Sequence, residues 1–373
     1  MIKVSAPGKL CISGEWAVLE VGNPLIVAAV DKRVFAKIKE SKDKFIHISI
    51  KDFGIENLKA LFKGNELSFE KRLKKGEEKY LFFIKSAIES VLKYFNRVKP
   101  FEIETWGEDI IIKTAEQIKT IGFGASAASV VATVASLFKF YGKDIKKEPV
   151  KEKIYKLSTI AHYFAQGKVG SGFDTAASTF GGVFIYKRFN PDWLMNQFKK
   201  GKHLREIIKI KWPGFYIKSL KIPNDFNLLV GWTGEFSSTA KMIKQLNNWK
   251  KNNKGEHKRI IGQIKSLVEQ LIEAWEKSDK EKLLQLIKKN EDYLRELGDK
   301  SGLNIETEKL WKLSKIANNN GGAGKLSGAG GGDCGIAITF NEVHSEKIKK
   351  KWQKNGIYFI NTILSQDGVR EEN

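Results

Sequence analysis

Cysteine and histidine are scarce in this chain: two cysteines, Cys11 and Cys334, and five histidines stand among 373 residues. Two thiols cannot build a disulfide framework, and so few histidines leave no Cys/His-rich metal cluster. Both cysteines sit in apolar, glycine-containing surroundings and read as reduced, buried thiols of a cytoplasmic protein. Proline is sparse as well, at seven, and nothing in the composition suggests disorder. No apolar run approaches the ~18 residues of a membrane-crossing helix. The opening Met1-Ile2-Lys3-Val4-Ser5 lacks the apolar centre of a signal peptide. H-E-x-x-H, G-x-S-x-G and protein-kinase signatures are all missing. Gly324-Lys325-Leu326 lacks the Ser or Thr that would end a Walker A loop, which argues against P-loop chemistry.

What is abundant is lysine. Lys and Arg outnumber Asp and Glu 65 to 43, for a formal net charge of +22. Such a field attracts anions: nucleic acid, an anionic membrane face or phosphorylated metabolites. It also suits a heat-adapted surface. The excess is spread over 71–79, 146–156, 199–211 and 244–258 rather than gathered in a tail. A dedicated nucleic-acid binder would concentrate it and interleave exposed aromatics. With 42% hydrophobic residues the chain can bury a sizeable core, and its length suits two domains.

Hydrophobic periodicity gives strands over 9–20 and 25–39, separated by Val21-Gly22-Asn23-Pro24, and short strands over 45–50, 101–106 and 109–113. Helical spacing covers 80–95, a stretch from about 125 to 140, and 151–166. A short helix follows Asp174, and a strand covers 182–189. The Trp- and Lys-rich stretch 191–213 reads as an irregular insertion. Strands at 214–220 and 226–232 precede amphipathic helices over 237–251, 257–277, 280–297 and 306–319. Two strands then flank a glycine loop over 325–340, followed by a helix near 343–354 and a strand near 357–362. The order implies an α+β fold with domains 1–190 and 191–373.

Four constellations carry candidate chemistry. Gly122-Phe123-Gly124-Ala125-Ser126-Ala127-Ala128 opens an apolar helix; its small residues let amides approach a phosphate, and the helix start adds unpaired N–H groups. Ser126 offers a hydroxyl of the kind that ligates magnesium beside phosphates. Close packing alone would also select such residues. The same stretch fits G-x-G-x-x-A, but Asp144, at the spacing a dinucleotide fold needs, lies in a polar segment that is no buried strand. The second constellation is Ser327-Gly328-Ala329-Gly330-Gly331-Gly332-Asp333-Cys334-Gly335, where so many glycines imply close approach of backbone to a ligand or to another loop. The third is Lys9 in Pro7-Gly8-Lys9, placed to reach a loop-bound phosphate. The fourth is Asp174 in Gly170-Ser171-Gly172-Phe173-Asp174, a helix-capping position or a carboxylate that holds Lys9. His162 lies twelve residues earlier on a helix that can approach it.

In this order the constellations resemble the GHMP kinase family. Pro7-Gly8-Lys9 with Gly14-Glu15 looks like its first motif, residues 121–128 like its phosphate loop, and residues 325–332 like its third. The usual proline of the second motif is replaced, and Ala125 stands for its first serine. The segments from Ala161-His162 to Asp174, Gly231-Trp232-Thr233-Gly234 with Ser237-Ser238-Thr239, and 327–335 are most similar to the phosphomevalonate kinase branch.

The resemblance implies a ribosomal-protein-like N-terminal domain, a ferredoxin-like C-terminal domain and a site between them. It implies phosphoryl transfer from ATP, with magnesium held by Ser126, to 5-phosphomevalonate. Gly122, Phe123, Gly124, Ala125, Ser126, Ala127 and Ala128 would bind the ATP phosphates, and Lys9 and Asp174 would be catalytic. Glu15, His162, Lys168, Ser171, Gly172, Ser237, Ser238, Thr239, Gly328, Ala329 and Gly330 would serve the substrate. Lys187, Arg188 and Lys241 are further cations near the motifs. Small molecules, not nucleic acid or membrane, are the expected partners, for a monomer or homodimer. Mevalonate kinase, a decarboxylating relative and, more distantly, a basic nucleic-acid-binding protein are the alternatives.

Overall fold

The computed structural model describes every residue except 71–76, 109–110, 114–117 and 236–237, with backbone only for 77–80, 111–113 and 118–120. The first half of the chain runs β1 (Ile2–Ser13), β2 (Pro24–Glu40), β3 (Ile46–Ile50), β4 (Ile55–Lys63), β5 (Glu66–Phe69), α1 (Glu77–Phe95), β6 (Phe101–Gly107), β7 (Ile111–Lys113), β8 (Ile118–Thr120), α2 (Ala125–Phe140), α3 (Glu148–Ala165), α4 (Phe173–Phe180) and β9 (Val183–Lys187). The second half continues with α5 (Pro191–Lys199), α6 (Leu204–Lys209), β10 (Tyr216–Ser219), β11 (Asn227–Trp232), α7 (Thr239–Asn252), α8 (Lys254–Glu276), α9 (Lys280–Ser301), α10 (Glu308–Asn318), β12 (Ala323–Leu326), β13 (Cys334–Thr339), α11 (Glu342–Lys354), β14 (Tyr358–Ile360) and β15 (Arg370–Glu371).

The architecture is α+β, built on two main sheets. β2 is the spine of the larger one. It is long enough to pair with β1 along its length, with β9 near its start and with β6 near its end, all antiparallel. The sheet extends through β3, β4 and β5 on one side and β10 on the other. It therefore continues past residue 190, through β10, and recovers β15 from the far end of the chain. β12, β13, β11 and β14 form a four-stranded antiparallel sheet under α10 and α11.

α2 is apolar on nearly every face, and Val130, Val131, Val134, Ala135 and Leu137 are fully buried. A helix of that kind belongs inside a core, and α2 packs between β1–β2 and helices α1 and α3. The mouth of α2 is thereby fixed against β1, which carries Lys9.

The stretch 191–213 is not irregular. Asn190 caps α5 by accepting from the Trp193 amide at 3.0 Å, with Pro191 in the first turn. Leu194, Ile207, Ile208 and Trp212 are buried, and Lys156 donates to the carbonyls of Ile208 and Ile210. The dense lysines hide a short amphipathic pattern. Both cysteines are free and buried, and no helix among the described residues is long and apolar enough to cross a membrane.

Candidate active site

Gly124 caps α2 without a side chain, at φ +76°, a left-handed conformation that glycine adopts freely. A Cβ there would also lie 3.1 Å from two carbons of the Lys9 side chain. Among the described residues the amides of Gly124, Ala125 and Ser126 have no backbone partner, while those of Ala127 and Ala128 turn back to the Gly124 carbonyl. Three N–H groups thus face outward at the positive end of a sixteen-residue helix. Phe123, Ala127 and Ala128 have their side chains in the core, so a ligand meets only their backbone.

Lys9 lies directly against this loop. Its amide donates to the Phe123 carbonyl at 2.8 Å, and its Nζ donates to the Gly122 carbonyl at 2.8 Å. The ammonium also sits 5.8 Å from the centre of the Phe173 ring.

Asp174 occupies the first turn of α4, after Gly172 at φ +83°. Its Oδ1 is buried and has no partner among the described residues. The sequence pairing of Asp174 with Lys9 is not made: the Lys9 ammonium is taken by the Gly122 carbonyl instead. Both side chains line one small cavity of about 110 Å³, together with Glu15, Ser171, Thr239, Gly328 and Ala329. The cavity joins β1, α4, the start of α7 and the glycine loop after β12. A larger groove, about 950 Å³, runs between α1 and α5–α6 and contains none of these residues.

His162 meets the phosphate loop rather than the cavity. Its Nε2 lies 3.1 Å from Ser126 Oγ, and its ring stacks on Phe83 at 5.2 Å between centres. Burial pushes the imidazole below its ordinary value, against the pull of nearby Asp174, which favours the neutral ring.

Other expected residues fall differently. Glu15 is 3% exposed and ion-paired to Lys325, itself fully buried. Ser238 caps α7 through the Lys241 amide, and Ser237 lies outside the described residues. Lys168 is exposed, at φ +64°, over the Phe164 ring, and is not among the residues lining the cavity, although its neighbours Gln166 and Gly170 are. Gly330 packs tightly on the Ile305 carbonyl, where no Cβ would fit. Arg188 is buried and clamps the carbonyls of Leu19 and Gly170 at 2.7 and 2.8 Å.

The sequence reading gave three residues no role of their own, although Asp333 stood in its second constellation and Lys325 in its third motif. Trp16 lines the cavity at φ +63°, with its indole nitrogen buried and unpartnered. Lys325 balances Glu15. Asp333 reaches the phosphate loop, its Oδ1 accepting from the Gly122 amide at 2.8 Å. Trp16 stands beside Gly14-Glu15 and could have been flagged by that proximity; the other two lie in quoted motifs, but their partners, Glu15 and Gly122, are remote in sequence.

A glycine-mouthed buried helix faced by a lysine, with a carboxylate across a small cavity, is the arrangement that phosphoryl transfer to a small molecule calls for. Residues 83–182 match the family model described as GHMP kinases N terminal domain, and residues 263–357 match GHMP kinases C terminal. The chain belongs to the GHMP kinase family. It is 30% identical to a phosphomevalonate kinase of Streptomyces sp. (strain CL190), covering 98% of this chain and 97% of the relative. It is 28% identical to a phosphomevalonate kinase of Saccharolobus solfataricus, over 100% and 99%. The structure of Streptococcus pneumoniae phosphomevalonate kinase in complex with phosphomevalonate and AMPPNP superposes with a TM-score of 0.81 at 23% identity, covering 98% of this chain and 100% of that one. The last figure shows a shared fold.

Proposed function

We propose that this chain is a phosphomevalonate kinase, transferring the γ-phosphoryl group of ATP to the phosphate of 5-phosphomevalonate to give 5-diphosphomevalonate and ADP. The observation that carries the proposal is the seating of the Lys9 ammonium 2.8 Å from the Gly122 carbonyl, beside three unpaired amides and opening on the cavity that Asp174 lines. The relatives of nearly full-length coverage supply the acceptor.

The amides of Gly124, Ala125 and Ser126 hold the ATP phosphates. Lys9 neutralises charge on the group in transfer, the main task in such reactions. The Ser126 hydroxyl fits magnesium as one hard oxygen ligand, leaving phosphate oxygens and water for the rest; among the described residues no cluster of three acidic, His or Cys side chains offers an all-protein cage. Magnesium held at Ser126 would neutralise phosphate charge.

The acceptor phosphate has a second pKa near about 6, so its attacking oxygen is ionised at neutral pH and needs no base. Asp174 instead offers its cavity-lining carboxylate to a hydroxyl of the acceptor, orienting it toward the phosphate loop.

ADP release measured with mevalonate, phosphomevalonate, homoserine and galactose tests the proposal. Turnover with phosphomevalonate at least about a hundredfold above the others in kcat/KM is expected, the discrimination a buried polar site gives. Preference for mevalonate would make the chain a mevalonate kinase, and no turnover with any acceptor would refute both.

A further inference from the structure

The glycine run after β12 ends on Asp333, at φ +65°, a left-handed conformation that Asp tolerates better than most side chains. Its backbone is held firmly. The Thr233 amide and hydroxyl donate to its carbonyl at 2.9 and 3.1 Å, and its own amide donates to the Glu235 carbonyl at 3.0 Å. From this anchor the carboxylate crosses to a loop 211 residues away in sequence and accepts the Gly122 amide at 2.8 Å. It fills the space that a Cβ on residue 122 would need. Gly122 is thereby gripped from both sides, its carbonyl by Lys9 of β1 and its amide by Asp333 at the end of the glycine loop leading into β13.

Burying a carboxylate is costly unless it is hydrogen-bonded. Here burial pushes Asp333 upward, opposed by the Gly122 amide and the charge of Lys9. A glycine or apolar residue would close the contact between the two sheets without that cost. The carboxylate does one thing such a residue could not: it fixes the orientation of the peptide that precedes the three unpaired amides.

We infer that Asp333 is a positioning residue for the nucleotide, setting the Gly122 peptide so that the amides of Gly124, Ala125 and Ser126 converge on the ATP phosphates. The inference rests on the phosphate-loop reading proposed above and adds to it a residue from the glycine loop leading into β13. Asp333 does not line the cavity shared by Lys9 and Asp174, so its signature is a change in nucleotide affinity without a matching change for the acceptor.

The test uses the full chain and compares wild type with D333N, D333G, G122A and the double variant D333G/G122A. Equilibrium ATP binding by calorimetry, both Michaelis constants and thermal melts are measured. D333N keeps an oxygen that accepts the Gly122 amide and should hold ATP affinity within about threefold, whereas D333G should weaken it about tenfold, the worth of one charge-assisted hydrogen bond. The acceptor KM should stay within about twofold in both. G122A should match D333G, because its methyl group displaces the carboxylate, and the double variant should be no worse than either, since the two changes remove one interaction. D333S, too short to reach the amide, replaces D333G if that variant does not fold. Unchanged ATP affinity in D333G, equal rises in both Michaelis constants, or multiplying losses in the double variant would overturn the inference. A wild-type chain that binds ATP but phosphorylates no acceptor would sink the proposed function and leave this inference standing; one that binds no ATP would end both.

Discussion

His162 and Ser126 lie on neighbouring helices, and the 3.1 Å contact between Nε2 and Oγ joins a neutral, buried imidazole to the hydroxyl at the mouth of α2. The contact restricts where that hydroxyl can point. H162A should therefore raise the KM for magnesium–ATP several-fold, on the order of one neutral hydrogen bond, with a smaller effect on the acceptor. Steady-state kinetics at saturating acceptor checks this, and an unchanged nucleotide KM would detach His162 from the site.

The same burial has a stability consequence of defined sign. His162 resists protonation in the folded chain, while the unfolded chain takes up a proton near pH ~6.5. Folding stability from this residue is present above that value and declines as pH falls from there toward the lower folded-state value. H162Q, which cannot titrate, should lose less melting temperature between pH 7.5 and pH 5 than wild type does. Parallel losses in the two proteins would show that the imidazole does not report on this equilibrium.

The Lys9 ammonium donates to the Gly122 carbonyl of the loop, so its replacement should act on the chemical step. K9M should lower kcat by about a hundred- to a thousandfold, the range for removing one preorganised group aimed at developing charge, with ATP KM rising less. Single-turnover measurement of phosphoryl transfer isolates the step. A kcat within tenfold of wild type would move the catalytic charge to another residue.

Much of this site was legible because its parts are local. Small residues at a helix mouth, a lysine beside Pro7-Gly8 and an aspartate after Gly172 are each visible in a short window. Asp333 and Lys325 were not, because their meaning lies in partners 211 and 310 positions away. The hairpin of β4 and β5 was readable yet missed: Gly64 and Asn65, at φ +58° and +69°, form the two-residue turn that a Gly-Asn pair between strands signals. Along 191–213 the lysines obscured Leu194, Ile207, Ile208 and Trp212, whose burial comes from packing that no local period reveals.

Asp174 separates two mechanisms. If it were a general base, its loss would abolish an acid limb in the rate profile. With an acceptor oxygen ionised above about pH 6, the limb belongs to the substrate. D174N should lower kcat/KM for phosphomevalonate about a hundredfold and keep the decline below pH ~6 that wild type shows. Profiles of both proteins from pH 5 to 8.5 decide it: disappearance of that decline in D174N would make Asp174 the base.

Glu15 and Lys325 bring the final prediction. They form an ion pair between β1–β2 and the second sheet, with Lys325 fully buried and Glu15 nearly so, and Glu15 borders the cavity. A buried pair adds little net stability, yet removing one partner strands the other charge away from water and costs roughly 3–5 kcal/mol. K325M should therefore lower the unfolding midpoint sharply. E15Q/K325M, which removes both charges of the pair and leaves only buried Glu291 beside the lost cation, should recover part of the loss despite carrying one more substitution. Chemical denaturation of wild type, both single variants and the double gives the coupling directly. Because Glu15 shares the cavity wall with Asp174, E15Q should also raise the acceptor KM while the ATP KM stays near wild type. Additive stability losses in the double variant would mean that the two charges are solvated independently and that the pair does not hold the sheets together.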